Sequence, residues 1–411
     1  MAKISPDNII VAIDVGTTKI CVIVAQYIDA NNIELLGIGK SHSDGLSKGV
    51  VVDVARTIQS IKSAVKEAEI MAGFAIESAC IGISGAHIQS RNSMGMVPIA
   101  HRQVRAADIA RVIESAKAIQ LAPGQQILHV LPQYFLLDGH SKVRDPLGMH
   151  GIRLEVQAHI ILGSVASVQN LVVCCERAGV KVSDIILEQL ASADAVLSDD
   201  ERELGVGVLD IGGGTSDLAL YQHGSIRHTM VLPIAGNHFT NDVAVGLRTT
   251  IADAERVKRE YGIANIDLMV QDDLIEVEMV QGSQKNIVYL HELVAILQPR
   301  AQELLELVHA EIVRHKLEQF IISGLVITGG GSLLGGMKEL AQSIFAVPVR
   351  IGSPRLSYGM PVLLQSPIYA TGYGLVMHTL KKRYKKDTAD AQGLMIQRVF
   401  ERMKGWVSDF F

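Results

Sequence analysis

A chain of 411 residues exceeds what one hydrophobic core organises, and 48% apolar against 20% charged residues supply enough burial to exclude a predominantly disordered protein. The net charge of −5 argues against a surface built for nucleic acid. Four cysteines (Cys21, Cys80, Cys174, Cys175) without CxxC or Cys/His ligand spacing exclude a disulfide scaffold and a structural zinc, as in a reduced cytosolic chain.

Asp7 and Asp14 bracket a short apolar run that reads as a strand rather than a signal peptide, and no run of roughly 18 uninterrupted apolar residues spans a membrane. Ile9–Ile13 and Ile20–Ala25 form two strands closed by the turn Asp14–Lys19. The stretch Ala106–Ile119 reads as a helix, and with the runs Ile127–Asp138 and Ile152–Leu162 it forms an inserted α/β unit of domain size. A second hairpin follows, with Val206–Leu209, a glycine-rich turn Asp210–Asp217, and Leu218–Tyr221. The two turns, IDVGTTKI and LDIGGGTSDL, share strand, Asp, apolar residue, Gly, turn and strand, so the chain reads as two related halves of an α/β protein. Helices are expected at Ile251–Gly262 and Arg300–Gln319, the latter starting behind Pro299. Leu325–Gly336 then gives a strand, a triple-glycine turn and a helix start.

Binding a triphosphate takes backbone amides converging on one spot, hence residues without bulk, with hydroxyls and a carboxylate to place its magnesium. The first hairpin offers Gly16, Thr17, Thr18 and Lys19, with Asp14 to hold magnesium through water. The second offers Gly212, Gly213, Gly214 and Thr215, with Asp210 as the matching carboxylate. The cluster Gly329, Gly330, Gly331 and Ser332 would let a flat adenine slide against backbone. A GxxxxGK[ST] loop is absent, and no GxGxxG opens a helix after a first strand, which leaves neither a P-loop nor a dinucleotide fold as the source of nucleotide binding.

In this order the motifs resemble the actin-like ATPase superfamily over residues 9–380, and within it the FtsA family of bacterial cell-division proteins. IDVGTTKI, GISGAHIQS from Gly82, EQLASADAVL from Glu188, LDIGGGTSDL, LPIAGNHFTNDVA from Leu232 and AERVKREYG from Ala254 carry the closer match. The resemblance implies a two-lobed actin-like fold on duplicated ribonuclease-H-like domains. The first core subdomain would comprise 1–83, 163–199 and 367–380, with a small inserted subdomain at 84–162. The second core would comprise 200–240 and 305–366, with its own small subdomain at 241–304. A charged flexible linker (381–392) and an amphipathic helix (393–411) would follow. The cofactors implied are ATP and magnesium, with Gly236 and Asn237 near phosphates and ribose and Glu255 and Lys258 at the nucleoside. Glu188 is the candidate to orient water, although Gln189 stands where relatives commonly have Pro, so the nucleotide acts mainly as a structural and polymerisation cofactor and the protein is at most a slow ATPase. A sugar or metabolite kinase and a pilus-assembly relative share the nucleotide motifs and are the alternatives.

Residues 381–411 hold eight Lys/Arg against four Asp/Glu, leaving −9 for the rest. At about 100° per residue, Ile396, Val399, Phe400, Met403, Val407, Phe410 and Phe411 share an arc of about 120°, flanked by Trp406. Such aromatic concentration behind a basic tether suits a helix lying in a lipid headgroup layer, with docking on a protein surface as the other reading. FtsA-like proteins end in such a helix and bind the C-terminal tail of FtsZ, for which Arg300 in Gln298-Pro299-Arg300 is the matching residue. The resemblance further implies filaments, other division proteins as partners, and a peripheral location at the septum on the cytoplasmic face of the inner membrane.

Overall fold

The computed structural model describes residues 8–29, 32–140, 142–280, 285–356 and 360–384. The expected helix at 393–411 lies outside the described residues, and with it Ile396, Val399, Phe400, Met403, Trp406, Val407, Phe410 and Phe411.

Two five-stranded sheets form the body. In the first, an antiparallel meander of Ile9–Val15, Lys19–Tyr27 and Ile33–His42 is extended by two parallel strands, Ser78–Ile83 and Lys181–Leu187. The second repeats the plan with Val206–Ile211, Ser216–Gln222 and Ser225–Leu232, extended by Leu325–Thr328 and Val349–Ile351. The duplication expected from two turns therefore extends to all five strands of these two sheets. Central strands such as KICVIVAQY bury both faces, so they are continuous apolar runs rather than alternating ones. The helix Val54–Ala72, capped by Asp53 on the Arg56 amide and closed by left-handed Gly73, covers the first sheet. It lies so close that a Cβ on Gly39 would stand 1.9 Å from the Ala64 carbonyl oxygen.

The inserted unit is a four-stranded antiparallel sheet in the order Gln89–Pro98, Arg153–Ser164, Gln125–Leu137 and Lys142–Val143, backed by the helix Ala106–Ala116. It has its own core, in which Val112 and Ala116 pack with Phe135, Leu154 and Val156. Across to the second lobe it makes polar contacts, among them Ser90 Oγ to the Thr229 carbonyl at 3.0 Å and His159 Nε2 with Thr229 Oγ1 at 2.9 Å.

Two expectations are corrected. Pro299 does not start a helix but sits inside Leu290–Arg314, which crosses the expected subdomain boundary at 304/305. The buried stripe Leu290, Leu293, Val294, Leu297, Ala301, Leu304, Leu305, Val308 and Ile312 keeps helical spacing through the proline. Its burial outweighs the roughly 3 kcal/mol a mid-helix proline costs. The expected flexible linker also begins too early, because 381–384 continue a helix running from 370. Lys381 pairs with Asp194 at 2.8 Å, Lys382 with Asp184 at 2.6 Å, and Arg383 donates to the Ile9 carbonyl at 3.0 Å.

Candidate functional site

The two hairpin turns have the same local construction. The Gly16 amide donates to the Lys19 carbonyl at 3.1 Å and the Gly212 amide to the Thr215 carbonyl at 2.9 Å, each closing a four-residue turn. Register places Asp14 opposite Cys21 in one hairpin and Asp210 opposite Asp217 in the other. The turns face each other across a cleft of about 520 Å³ between the lobes. Gly16, Thr17, Thr18 and Lys19 line one wall, Gly212, Gly213, Gly214 and Thr215 the other, with Asp14, Glu188, Asp210 and Asp217 also in its lining. Thr18 Oγ1 reaches Asn237 Oδ1 at 3.5 Å, and Thr17 Oγ1 accepts from the Gly49 amide at 3.1 Å.

The carboxylates are held by hydroxyl and amide donors from both lobes. Asp210 Oδ2 accepts from Ser192 Oγ and from Thr371 Oγ1, the latter at 2.9 Å. Asp217 accepts from Ser84 at 2.5 Å, Gln189 Nε2 at 2.9 Å and Thr215 at 2.8 Å. Burial raises the pKa of Asp14 to about 6 and that of Asp217 to about 7, with Asp210 adding repulsion to each. Burial also raises Asp210, and it lifts Glu188 well above the ordinary range with repulsion from Asp14, Asp217 and Asp210. The nearby cation is Lys19, 3.8 Å from Asp14, whose Nζ donates to the Ile368 carbonyl at 2.6 Å.

Among the described residues no three His, Cys, Asp or Glu side chains can grip a metal ion by themselves. Crowded carboxylates carrying raised pKa values beside turns of free approach nevertheless fit a divalent cation that keeps its waters and shares phosphate oxygens.

The remaining wall is built from helix ends. Amides of Gly236 and Asn237 donate to the carbonyls of Gly212 and Gly213, fixing the start of Gly236–Gly246 on the second turn. From Ile251–Tyr261, Lys258 Nζ bonds Glu255 at 2.6 Å, Thr240 Oγ1 at 2.8 Å and the Gly236 carbonyl at 3.2 Å. Gly329, Gly330 and Gly331 line the cleft opposite. Gly329 has φ +79°, and a Cβ there would lie 2.2 Å from Asp210 Oδ1, so no other residue fits.

One residue expected in the cleft is placed elsewhere. Ser332 is buried under the turn, its hydroxyl on the Gly329 carbonyl at 2.7 Å, and does not line the cleft. Arg300, expected to bind a partner tail rather than to line the cleft, holds Asp242 through two bonds (2.5 and 3.2 Å) and also Glu303. Glu188 is neither an exposed carboxylate nor displaced by the missing proline: it opens the helix Glu188–Val196 at the cleft, and Gln189 reaches Asp217. Sequence reasoning missed Ser84, Ser192, Asp217 and Thr371. Ser192 was findable, since it follows Glu188 by one helical turn.

A family model described as "Cell division protein FtsA" matches residues 207–374, and one described as "SHS2 domain inserted in FTSA" matches residues 85–162. The chain is 43% identical to the cell division protein FtsA of Pseudomonas aeruginosa over 417 residues, covering 100% of both chains. It is 34% identical to that of Escherichia coli K12, again over 100% of both, and 36% identical to that of Bacillus subtilis over 90% of this chain and 83% of the relative. Among solved structures, a PilM-PilN type IV pilus biogenesis complex is similar with a TM-score of 0.66 at 17% identity, covering 90% of this chain and 98% of the other. MreB5 of Spiroplasma citri bound to ADP gives a TM-score of 0.56 at 16% identity, covering 92% and 98%. These likenesses bear out the actin-like fold with its inserted unit.

Proposed function

Since this chain belongs to the FtsA family of cell-division proteins, we propose that it is a membrane-tethered, ATP-binding protein that polymerises, holds FtsZ to the cytoplasmic membrane at the septum and recruits later division proteins. The observation that carries the nucleotide part is the facing of the Gly16–Lys19 and Gly212–Thr215 turns in one cleft lined by five carboxylates, Asp14, Glu188, Asp210, Asp217 and Glu255. Turn amides and the Thr17, Thr18 and Thr215 hydroxyls would meet the phosphates, and the Gly329–Gly331 turn with Glu255 and Lys258 would frame the nucleoside. Asp14 and Asp210 would hold magnesium through its waters, and the cation would neutralise phosphate oxygens. Glu188 would orient a water, and the nucleotide would serve mainly as a structural and polymerisation cofactor that is turned over slowly.

The membrane part rests on the apolar arc of Ile396, Val399, Phe400, Met403, Val407, Phe410 and Phe411 with Trp406 beside it, and on the basic segment before it. No helix among the described residues is long and apolar enough to cross a membrane, which is compatible with a peripheral attachment. One short helix binds lipid weakly, and many copies in a filament multiply that attachment.

Flotation with anionic liposomes tests this reading, comparing the full chain, a version ending after Tyr384, and Trp406→Glu. Flotation of the full chain alone is expected. If all three remain in solution with ATP present, the terminal segment is a docking element and the scaffold assignment falls.

A further inference from the structure

Two helices are tied together at two places, at the start and in the second half of the longer one. At the cleft end, Ser192 of Glu188–Val196 and Thr371 of the helix at 370–384 both donate to Asp210 of the second lobe, and their hydroxyls stand 3.2 Å apart. Further along, Asp194 of the first helix takes His378 Nδ1 at 2.7 Å and Lys381 Nζ at 2.8 Å from the second. Arg202, from the second-lobe helix Asp199–Leu204, completes the cluster at 2.9 Å. Asp194 is buried, its side chain 9% exposed, and Arg202 beside it is 14% exposed. His378 lies seven positions along the helix from Thr371, a span of ~11 Å.

We propose that Asp194 is the fixed pivot, and the helix at 370–384 the arm, through which occupancy of the cleft reaches the segment that continues from Tyr384. The inference rests on the nucleotide reading of the cleft. The near end of the arm, itself buried at Ala370 and Tyr373, bonds Asp210 Oδ2, the carboxylate that would hold a phosphate-bound cation. A cation drawing on that oxygen competes with both hydroxyls, releasing Ser192 and Thr371 together. The far tie carries three cationic or imidazole donors on one buried carboxylate, an assembly that breaks at much greater cost than a pair of hydroxyl bonds. Tyr373, Leu375, Val376 and Leu380 keep the helix packed in the core of the first lobe, so the release is carried as a small shift of the packed helix against Asp194 rather than as a free swing. Because Asp194 also binds the second lobe through Arg202, the pivot sits between the lobes.

Hydrogen exchange across 376–384, with and without magnesium-ATP, reads this directly in the full chain. The expected result is a change of about fivefold or more in exchange on adding magnesium-ATP and much less with ATP in EDTA. In Asp194→Asn, magnesium-ATP affinity stays within about threefold of the parent while the nucleotide-dependent difference at 376–384 disappears. His378→Gln, which keeps a donor toward Asp194, should retain at least half of the difference and serves if the first variant does not fold. Binding of magnesium-ATP measured by calorimetry on the same samples separates the two failures. Tight binding with unchanged exchange at 376–384 overturns the pivot alone, whereas no binding overturns the nucleotide reading and the pivot with it.

Discussion

Gly214 of the second turn faces Thr17 of the first so closely that a Cβ on it would lie 2.3 Å from the Thr17 hydroxyl oxygen and within 2.9 Å of the Thr17 Cβ and Cγ2. Rotating the short branched side chain of Thr17 relieves one of these contacts and leaves the others. Gly214→Ala therefore drives the lobes apart, costing about 1–3 kcal/mol in the observed arrangement. The expected outcome is an ATP affinity lower by about tenfold or more, measured by calorimetry, with a reduced melting temperature.

Asp210→Ala removes the acceptor shared by Ser192 and Thr371 together with a carboxylate proposed to hold the cation. Affinity for ATP should fall about tenfold or more in magnesium and change little in EDTA. Equal losses under both conditions would remove Asp210 from the cation site.

The cleft also makes stability depend on pH. Asp217 takes its proton with a pKa of about 7, and Asp14 with one of about 6, both raised by burial. A proton bound more tightly in the folded than in the unfolded chain stabilises fully below the unfolded value near pH ~4, and that contribution is lost as pH rises through 6 to 7. Without divalent cation, the melting temperature should drop between pH 5.5 and 7.5, and Asp217→Asn should flatten that slope. A protein equally stable at both pH values would contradict the burial-raised values.

Glu188→Gln keeps the size of the side chain and removes its ionisable carboxyl from among Asp14, Asp210 and Asp217. Binding of magnesium-ATP should persist within about threefold while phosphate release, followed over single turnovers, falls at least tenfold. Loss of binding instead would assign Glu188 to holding the ligand.

The hairpins were legible because their chemistry is local: an Asp, an apolar residue and a glycine turn between apolar runs specify both backbone and lining. Duplication was legible for the same reason, although Val349–Ile351 and Lys181–Leu187 complete the two sheets without any resemblance between their sequences. What escaped was set by tertiary contact. Ser84, Gln189 and Asp217 come from three separate segments, and nothing in GISGAHIQS says that the first of its two serines meets a carboxylate 133 positions away. Pro299 misled because a breaker has a local meaning, whereas the stripe that overrides it is defined by what the helix packs against. The end of the helix at 370–384 misled in the opposite way, since a run of cations looks solvated until Asp194 and Asp184 are found beneath it.

The register that sets Cys21 opposite Asp14 and Asp217 opposite Asp210 gives the cleft a polarity. Two halves with matching turns form a frame in which a ligand reversed end for end would meet nearly the same backbone. Chemistry removes that ambiguity: one lobe sets a carboxylate where its counterpart sets a buried thiol, whose own ionisation is pushed up to about 11. The near-symmetric shell thus has a distinguishable front and back, and a charged guest can settle into it one way round.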